Sequence, residues 1–252
     1  MKEFFFILCC LSISLTTKSQ ASSTVLIAAA SDLKFAMDSA IAVFKKTHPD
    51  LRVDVTYGSS GKLYEQIAHS APFDLFFSAD IEYPLNLKKK GFASSDVYTY
   101  GIGRIVLWSN VIDRSAVGMD MLSTTSIRKI AIANPRHAPY GRRAEEALRH
   151  FTIYDQVKNK LVYGENISQT AQFVTTGAAD AGIIALSLAL SPAMKKHKGQ
   201  YYMIPENAHT PLEQGFVVLR NAMGNPHVSS FKDFMLTSTA TEILGFYGFV
   251  TK

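Results

Sequence analysis

Val25-Leu26-Ile27-Ala28-Ala29-Ala30-Ser31-Asp32-Leu33 runs from an apolar stretch straight into a hydroxyl residue, after which Leu33, Ala36, Met37, Ala40, Ile41 and Phe44 recur at helical spacing. The reading is a strand that ends at Ala30 and a helix that begins near Ser31. The next unit repeats the plan: Arg52 to Tyr57 alternates as a strand, Gly58-Ser59-Ser60-Gly61 turns, and Leu63 and Ile67 open a helix. Helix N-termini carry unpaired N–H groups and a partial positive charge. Two such serine-bearing turns brought together can hold an anion without lysine or arginine, which points to a receptor for a small oxyanion.

The same alternation continues along the chain. Further strands are expected at Leu75–Ser78, Arg104–Trp108, Lys129–Ala133, Lys160–Tyr163, Gly182–Ala185, Tyr201–Ile204 and Phe216–Leu219, and further helices near Gly141, Ile167 and His227. This is an α/β pattern, for which parallel strands joined by helices are the simplest solution. In open α/β sheets ligands sit beyond the carboxyl ends of strands. The junctions there with unusual turn chemistry are Ala30-Ser31-Asp32, Gly58-Ser59-Ser60-Gly61, Asn134-Pro135 through Tyr140-Gly141, and Tyr163-Gly164-Glu165-Asn166-Ile167-Ser168. Two come early and two late, so a cleft between two lobes would collect them.

Composition narrows the class. Lys2, the apolar stretch Phe4 to Leu15 and the small residues Ser19-Gln20-Ala21 read as a secretory signal cut after Ala21, too short to span a bilayer permanently. The only cysteines, Cys9 and Cys10, lie inside it, without the small residue that precedes a lipid-attachment cysteine. The mature chain then has no disulfide, thiolate metal site or cysteine nucleophile. Formal net charge is +5 with the basic residues dispersed, which gives no support to nucleic-acid binding.

Each motif also has an ordinary structural reading. Ser31 could be a simple helix cap, and Asp32, which would repel an anion, is expected to point away from it. Gly58-Ser59-Ser60-Gly61-Lys62 is no phosphate loop, because Thr56 stands where the pattern needs glycine and Leu63 where it needs Ser or Thr. Arg142 and Arg143 oppose the dipole of the helix after Pro139 unless an anion is near. Asn166 and Gln169 resemble a capping box whose helix ends at Gly177. The histidines never recur at metal-ligand spacing, no GxSxG elbow exists, and Glu145-Glu146 diverge on a helix, so nothing nominates a catalyst.

Taken in order, these segments resemble the periplasmic molybdate-binding proteins of ABC transporters. The likeness rests on Ala28 to Leu33, Tyr57 to Leu63, Ala71-Pro72-Phe73-Asp74-Leu75-Phe76-Phe77-Ser78-Ala79-Asp80, Ala133-Asn134-Pro135 and His137 to Gly141. It continues through Gly164 to Gln169, Gly177 to Gly182 and Tyr247-Gly248-Phe249. The resemblance implies a type II periplasmic-binding-protein fold with two α/β lobes, each a mixed sheet flanked by helices, and the ligand cleft between them. By that analogy 1–21 is the signal peptide, 22–100 and 209–252 form lobe I, and 101–208 form lobe II, with hinge strands near Gly101–Arg104 and Asn207–Glu213.

Carried over by motif, the ligand residues are the hydroxyls of Ser31 and Ser60 and the amides of Tyr140 and Ile167. The late position at which some members place a binding tyrosine is Ala185 here, so the Tyr140 side chain is a second route to the ligand. The resemblance further implies a monomeric, non-enzymatic periplasmic receptor with no cofactor, binding molybdate or tungstate as an oxyanion without direct metal coordination. Its partners would be a membrane permease and an ATPase. The alternatives are the same scaffold tuned to sulfate, a secreted hydrolase using Ser60 or Asp32 with a histidine, and an anion sensor docking on a signalling partner.

Overall fold

The computed structural model describes residues 24–110, 118–197 and 199–251; the expected signal segment lies outside them. The strands are β1 Thr24–Ala30, β2 Arg52–Gly58, β3 Leu75–Ser78, β4 Tyr98–Gly103, β5 Ile105–Ser109, β6 Ile130–Ala133, β7 Leu161–Gly164, β8 Ala181–Ala185, β9 Gln200–Met203 and β10 Leu212–Val218. The helices are α1 Lys34–Phe44, α2 Ser60–Ala68, α3 Glu82–Lys89, α4 Pro139–His150, α5 Tyr154–Val157, α6 Ile167–Thr175, α7 Leu186–Ala189, α8 Pro192–Lys195, α9 Pro226–Met235 and α10 Ser238–Phe246. Two five-stranded sheets result, ordered β2-β1-β3-β10-β4 and β7-β6-β8-β5-β9.

Both sheets are mixed. In the first, β2, β1 and β3 run parallel, while β10 is antiparallel to β3 and β4. In the second, β7, β6 and β8 run parallel and β5 is antiparallel to β8 and β9. The parallel expectation therefore holds only for the strands that feed helices. The backbone passes between the sheets twice, from β4 into β5 across Arg104 and from β9 into β10.

Side chains of the first sheet alternate between two cores, as the period of a strand requires. Ile27, Ala29, Phe77 and Phe216 join α1, α9 and α10 on one face, while Ala28, Phe76 and Val217 join Leu63, Ile67 and Leu87 of α2 and α3 on the other. Phe77 and Phe216 are register partners and their rings stack at 4.5 Å. In the second sheet every residue of β5, β6 and β8 is buried, the continuous apolar run of strands covered on both faces.

The sequence pattern missed β4 and the first half of β10. Gly101 and Gly103 break the apolar rhythm of β4, and Glu213-Gln214-Gly215 reads as a polar turn. What makes these residues strands is their pairing with each other, Leu212 with Gly103 through Gln214 with Gly101, at the crossing between the sheets. The first helix also starts later than expected: Ser31–Leu33 is a 3-10 turn, and α1 proper opens at Lys34.

Candidate functional site

The parallel strands β1, β2, β6 and β7 end toward the same gap, so their following turns meet there. A small cavity lies between the sheets, lined by Ser31 and Asp32 after β1, Ser59 and Ser60 after β2, Ala79 after β3, Pro139 and Tyr140 opening α4, and Ile167 opening α6. All four carried-over residues, Ser31, Ser60, Tyr140 and Ile167, thus line one space. No lysine, arginine or histidine lines it.

The donors differ in their present engagement. The Ala79 amide donates to Ser60 Oγ at 3.0 Å, which leaves the Ser60 hydroxyl proton unassigned. Ser31 Oγ instead donates to Asn166 Oδ1 at 3.1 Å and accepts from the Ser168 amide at 3.3 Å. Tyr140 and Ile167 sit in the first turns of α4 and α6, where backbone amides have no intrahelical acceptor. Pro139 at the first helical position supplies the fixed φ that starts α4. Asn166 caps α6 by accepting from the Gln169 amide at 3.0 Å, while Gln169 Oε1 accepts from the Glu165 amide at 2.6 Å. This is a capping box displaced by one residue, because Gln169 reaches the amide before the cap.

Beneath the cavity lies a buried polar junction. Tyr140 Oη donates to Asp32 Oδ2 at 3.0 Å, and Gln214 Nε2 donates to the same oxygen at 3.0 Å and to Tyr140 Oη at 3.1 Å. Tyr100 Oη donates to Gln214 Oε1 at 2.6 Å. The Tyr140 phenol is therefore bound to Asp32 and Gln214, and its side-chain route to a ligand would require breaking those bonds. Asp32 Oδ2 faces this junction, while Asp32 also lines the cavity and its Oδ1 has no hydrogen-bond partner among the described residues. Its pKa is pushed up to about 6, chiefly because it is buried, with the hydrogen bonds from Gln214 and Tyr140 opposing. Ser187 Oγ donates to the Asp32 carbonyl at 2.8 Å, so a hydroxyl does come from the segment after β8, two residues beyond Ala185.

At the rim further bonds cross between the sheets. Ser59 Oγ and His137 Nδ1 are 2.9 Å apart, and the Gly61 amide donates to the His137 carbonyl at 2.9 Å. Lys62 pairs with Glu165, whose second oxygen lies 3.8 Å from His137 Nε2. Burial, the largest influence, lowers the His137 pKa, with Glu165 opposing and Lys62 assisting. Arg142 Nη2 meets Asp80 Oδ2 at 2.6 Å, and Arg143 meets Glu146 at 2.6 Å. Carboxylates thus supply the anions that these arginines need at the start of α4.

Sequence reasoning missed Gln214, His137, Ser168 and the Arg142–Asp80 pair, since each acts only through partners distant in the chain. The structure sets His137 on Ser59, and among the described residues neither Ser60 nor Asp32 bonds a histidine. What the cavity can do chemically is donate several hydrogen bonds from neutral groups into a small space between the two sheets.

Residues 25–250 match the model of a family described as bacterial extracellular solute-binding protein. The chain is 36% identical over 206 residues to the molybdate-binding protein ModA of Rhodobacter capsulatus, covering 79% of this chain and 78% of that one. It is 34% identical over 203 residues to the ModA protein of Azotobacter vinelandii, covering 79% of each. The solved structure of the Azotobacter vinelandii periplasmic molybdate-binding protein superposes with a TM-score of 0.84 at 29% identity, covering 90% of this chain and 99% of that one. These relatives are binding proteins rather than enzymes.

Proposed function

From the premise that this chain belongs to the bacterial extracellular solute-binding protein family, alongside the molybdate-binding proteins, we propose that it captures molybdate between its two sheets and delivers it to an ABC-transporter permease. The observation that carries the reading is the cavity at the strand ends: Ser31, Ser60 and the first turns of α4 and α6 converge on it, and no cationic side chain lines it.

Neutral donors suit a fully deprotonated dianion. Backbone amides offer no acceptor for the proton of hydrogen phosphate, and with the serine hydroxyls committed as donors to the anion that proton stays unpaired. Sulfate has the charge but shorter bonds, so a cavity set for molybdate stretches its hydrogen bonds. Tungstate matches molybdate in size and binds as well. With the backbone amides of Ser31 and Ser60 added to the two hydroxyls and the amides of Tyr140 and Ile167, roughly six charge-assisted hydrogen bonds at about 1.5–3 kcal/mol each give on the order of 9–18 kcal/mol gross. Association and closure remove several kcal/mol or more, and the remainder suits a dissociation constant between about micromolar and nanomolar.

Lobe I is 22–100 with 209–252 and lobe II is 101–208, although the first sheet extends through β4 to Gly103; the hinge lies where β4 and β10 pair between the sheets. The receptor acts as a monomer in the periplasm, with the permease and its ATPase as partners. No helix among the described residues is long and apolar enough to cross a membrane. Isothermal titration of the mature protein with molybdate, tungstate, sulfate and phosphate at neutral pH tests the reading. Stoichiometric molybdate and tungstate binding with negligible sulfate heat is expected. Tight sulfate binding with weak molybdate binding would reassign the ligand, and silence with every anion would end the receptor reading.

A further inference from the structure

We propose that Gln214 is a positioning residue for ligand capture: its side-chain amide ties the hinge strand β10 to Tyr140 and so holds the first turn of α4 over the anion. The inference rests on the receptor reading above.

Gln214 is fully buried, yet every hydrogen-bonding function of its amide is used. Its nitrogen donates to Asp32 Oδ2 and to Tyr140 Oη, and its oxygen accepts from Tyr100 Oη. Tyr100 Oη also lies 3.0 Å from the Ser78 carbonyl, a longer second acceptor for its one proton, which keeps the phenol beside β3. Asp32, Tyr100 and Ser78 belong to the first sheet and its turns, whereas Tyr140 belongs to α4 of the second. Gln214 and Asp32 therefore hold a residue of the opposite half that lines the cavity from the first turn of α4.

The backbone is shaped for this contact. The register of β10 against β4 shifts at Gln214/Gly215, leaving Tyr100 as an extra residue on β4; such bulges re-aim side chains. Opposite, a Cβ on Gly103 would stand 2.4 Å from both Gln214 Nε2 and Tyr140 Oη. A glycine at the crossing is what lets the amide and the phenol approach across it. Neither Gln214 nor Gly103 lines the anion cavity, so their influence on a bound anion runs through Tyr140.

This arrangement places the effect on release. Encounter occurs in an open cleft, where Tyr140 is apart from Gln214; the junction forms on closure and must break before the anion leaves. The test compares wild type with Gln214→Leu, which keeps the bulk but not the amide, and with Gly103→Ala, which keeps every hydrogen-bonding group but obstructs the contact. Dissociation is followed by chasing labelled molybdate with excess unlabelled molybdate, and the equilibrium constant comes from calorimetry. About tenfold or faster release is expected in each variant, with association within about twofold of wild type. A residue that only supported folding would lower the melting temperature and leave release from the folded protein unchanged.

Release within about twofold of wild type in both variants overturns the proposal. So does a loss of affinity that falls on association instead. Absence of molybdate binding by the wild-type protein would defeat the receptor reading itself, whereas wild-type binding with unaltered release in the variants would defeat only the junction.

Discussion

Ser60 Oγ accepts the amide of Ala79 at 3.0 Å, which occupies one of its lone pairs on the first sheet and leaves its one proton free to donate into the cavity that Ser60 lines. A hydroxyl fixed in this way is a prepared donor, because little ordering remains when an anion arrives. Ser60→Ala is expected to weaken molybdate binding by about 1–3 kcal/mol, since the anion keeps an unpaired oxygen in a dry site. Calorimetric affinity equal to wild type would remove Ser60 from the ligand shell.

Ser31 starts from a different position. Its hydroxyl already bonds Asn166 Oδ1, which also caps α6. Turning that proton to a ligand exchanges one bond for another. Ser31→Ala therefore loses both the closed-cleft contact and the anion contact, and affinity is expected to fall by about 1–3 kcal/mol. Asn166→Ala removes the cap as well, at about 1 kcal/mol of stability. Chemical denaturation of the ligand-free Asn166→Ala protein checks that cost; an unchanged midpoint would mean that the cap is dispensable.

How much of this was legible in the sequence depends on the range of each interaction. Ser31, Ser60, Tyr140 and Ile167 stand at strand-to-helix turns, which local periodicity reveals, and the structure gathers them on one cavity. β4 and the start of β10 were not legible in periodicity, and only the resemblance implied strands near Gly101–Arg104 and Asn207–Glu213, because Gly101, Gly103, Glu213 and Gln214 carry no strand rhythm and become strand through their pairing. Gln214 itself is one polar residue beside an apolar run. Its role exists only once Asp32, Tyr100 and Tyr140, 182, 114 and 74 residues away in sequence, surround it. The same holds for Arg142, whose partner Asp80 lies on the opposite half.

Asp32 gives the molecule a distinctive pH response. Its pKa is about 6 in the folded chain against an ordinary value of 3.8, so between those values the folded state holds more protons than the unfolded one. Stability then falls as pH rises through this window and stays lower above it, by on the order of 3 kcal/mol for a shift of that size. His137 and His209 act oppositely, since burial lowers both pKa values and their stabilising share is lost as pH falls. Comparison with Asp32→Asn isolates the carboxylate. The variant is expected to exceed wild type in stability above pH ~7, with the gap closing toward pH ~5. Parallel stability curves for the two proteins would contradict the buried charge.

Closure leaves no room at Gly61. A Cβ there would stand 2.6 Å from the His137 carbonyl oxygen and 2.9 Å from Tyr83 Oη, while the Gly61 amide itself donates to that carbonyl at 2.9 Å. The carbonyl belongs to the turn leading into α4 and cannot swing aside as a side chain could. Gly61→Ala must hold the two halves apart at the rim, which lengthens the contacts of Ser59 with His137 and Lys62 with Glu165 as well. The fold of each half is little affected, because the backbone clash is with the opposite half and the contact on its own half, Tyr83 Oη, is the far end of a side chain. The expected result is a ligand-free melting temperature within a few degrees of wild type, combined with molybdate affinity reduced about tenfold or more. Small-angle scattering of the variant at saturating molybdate should show a larger radius of gyration than liganded wild type. An equal radius with wild-type affinity would mean that the rim accommodates the methyl group and that contact at Gly61 does not limit closure.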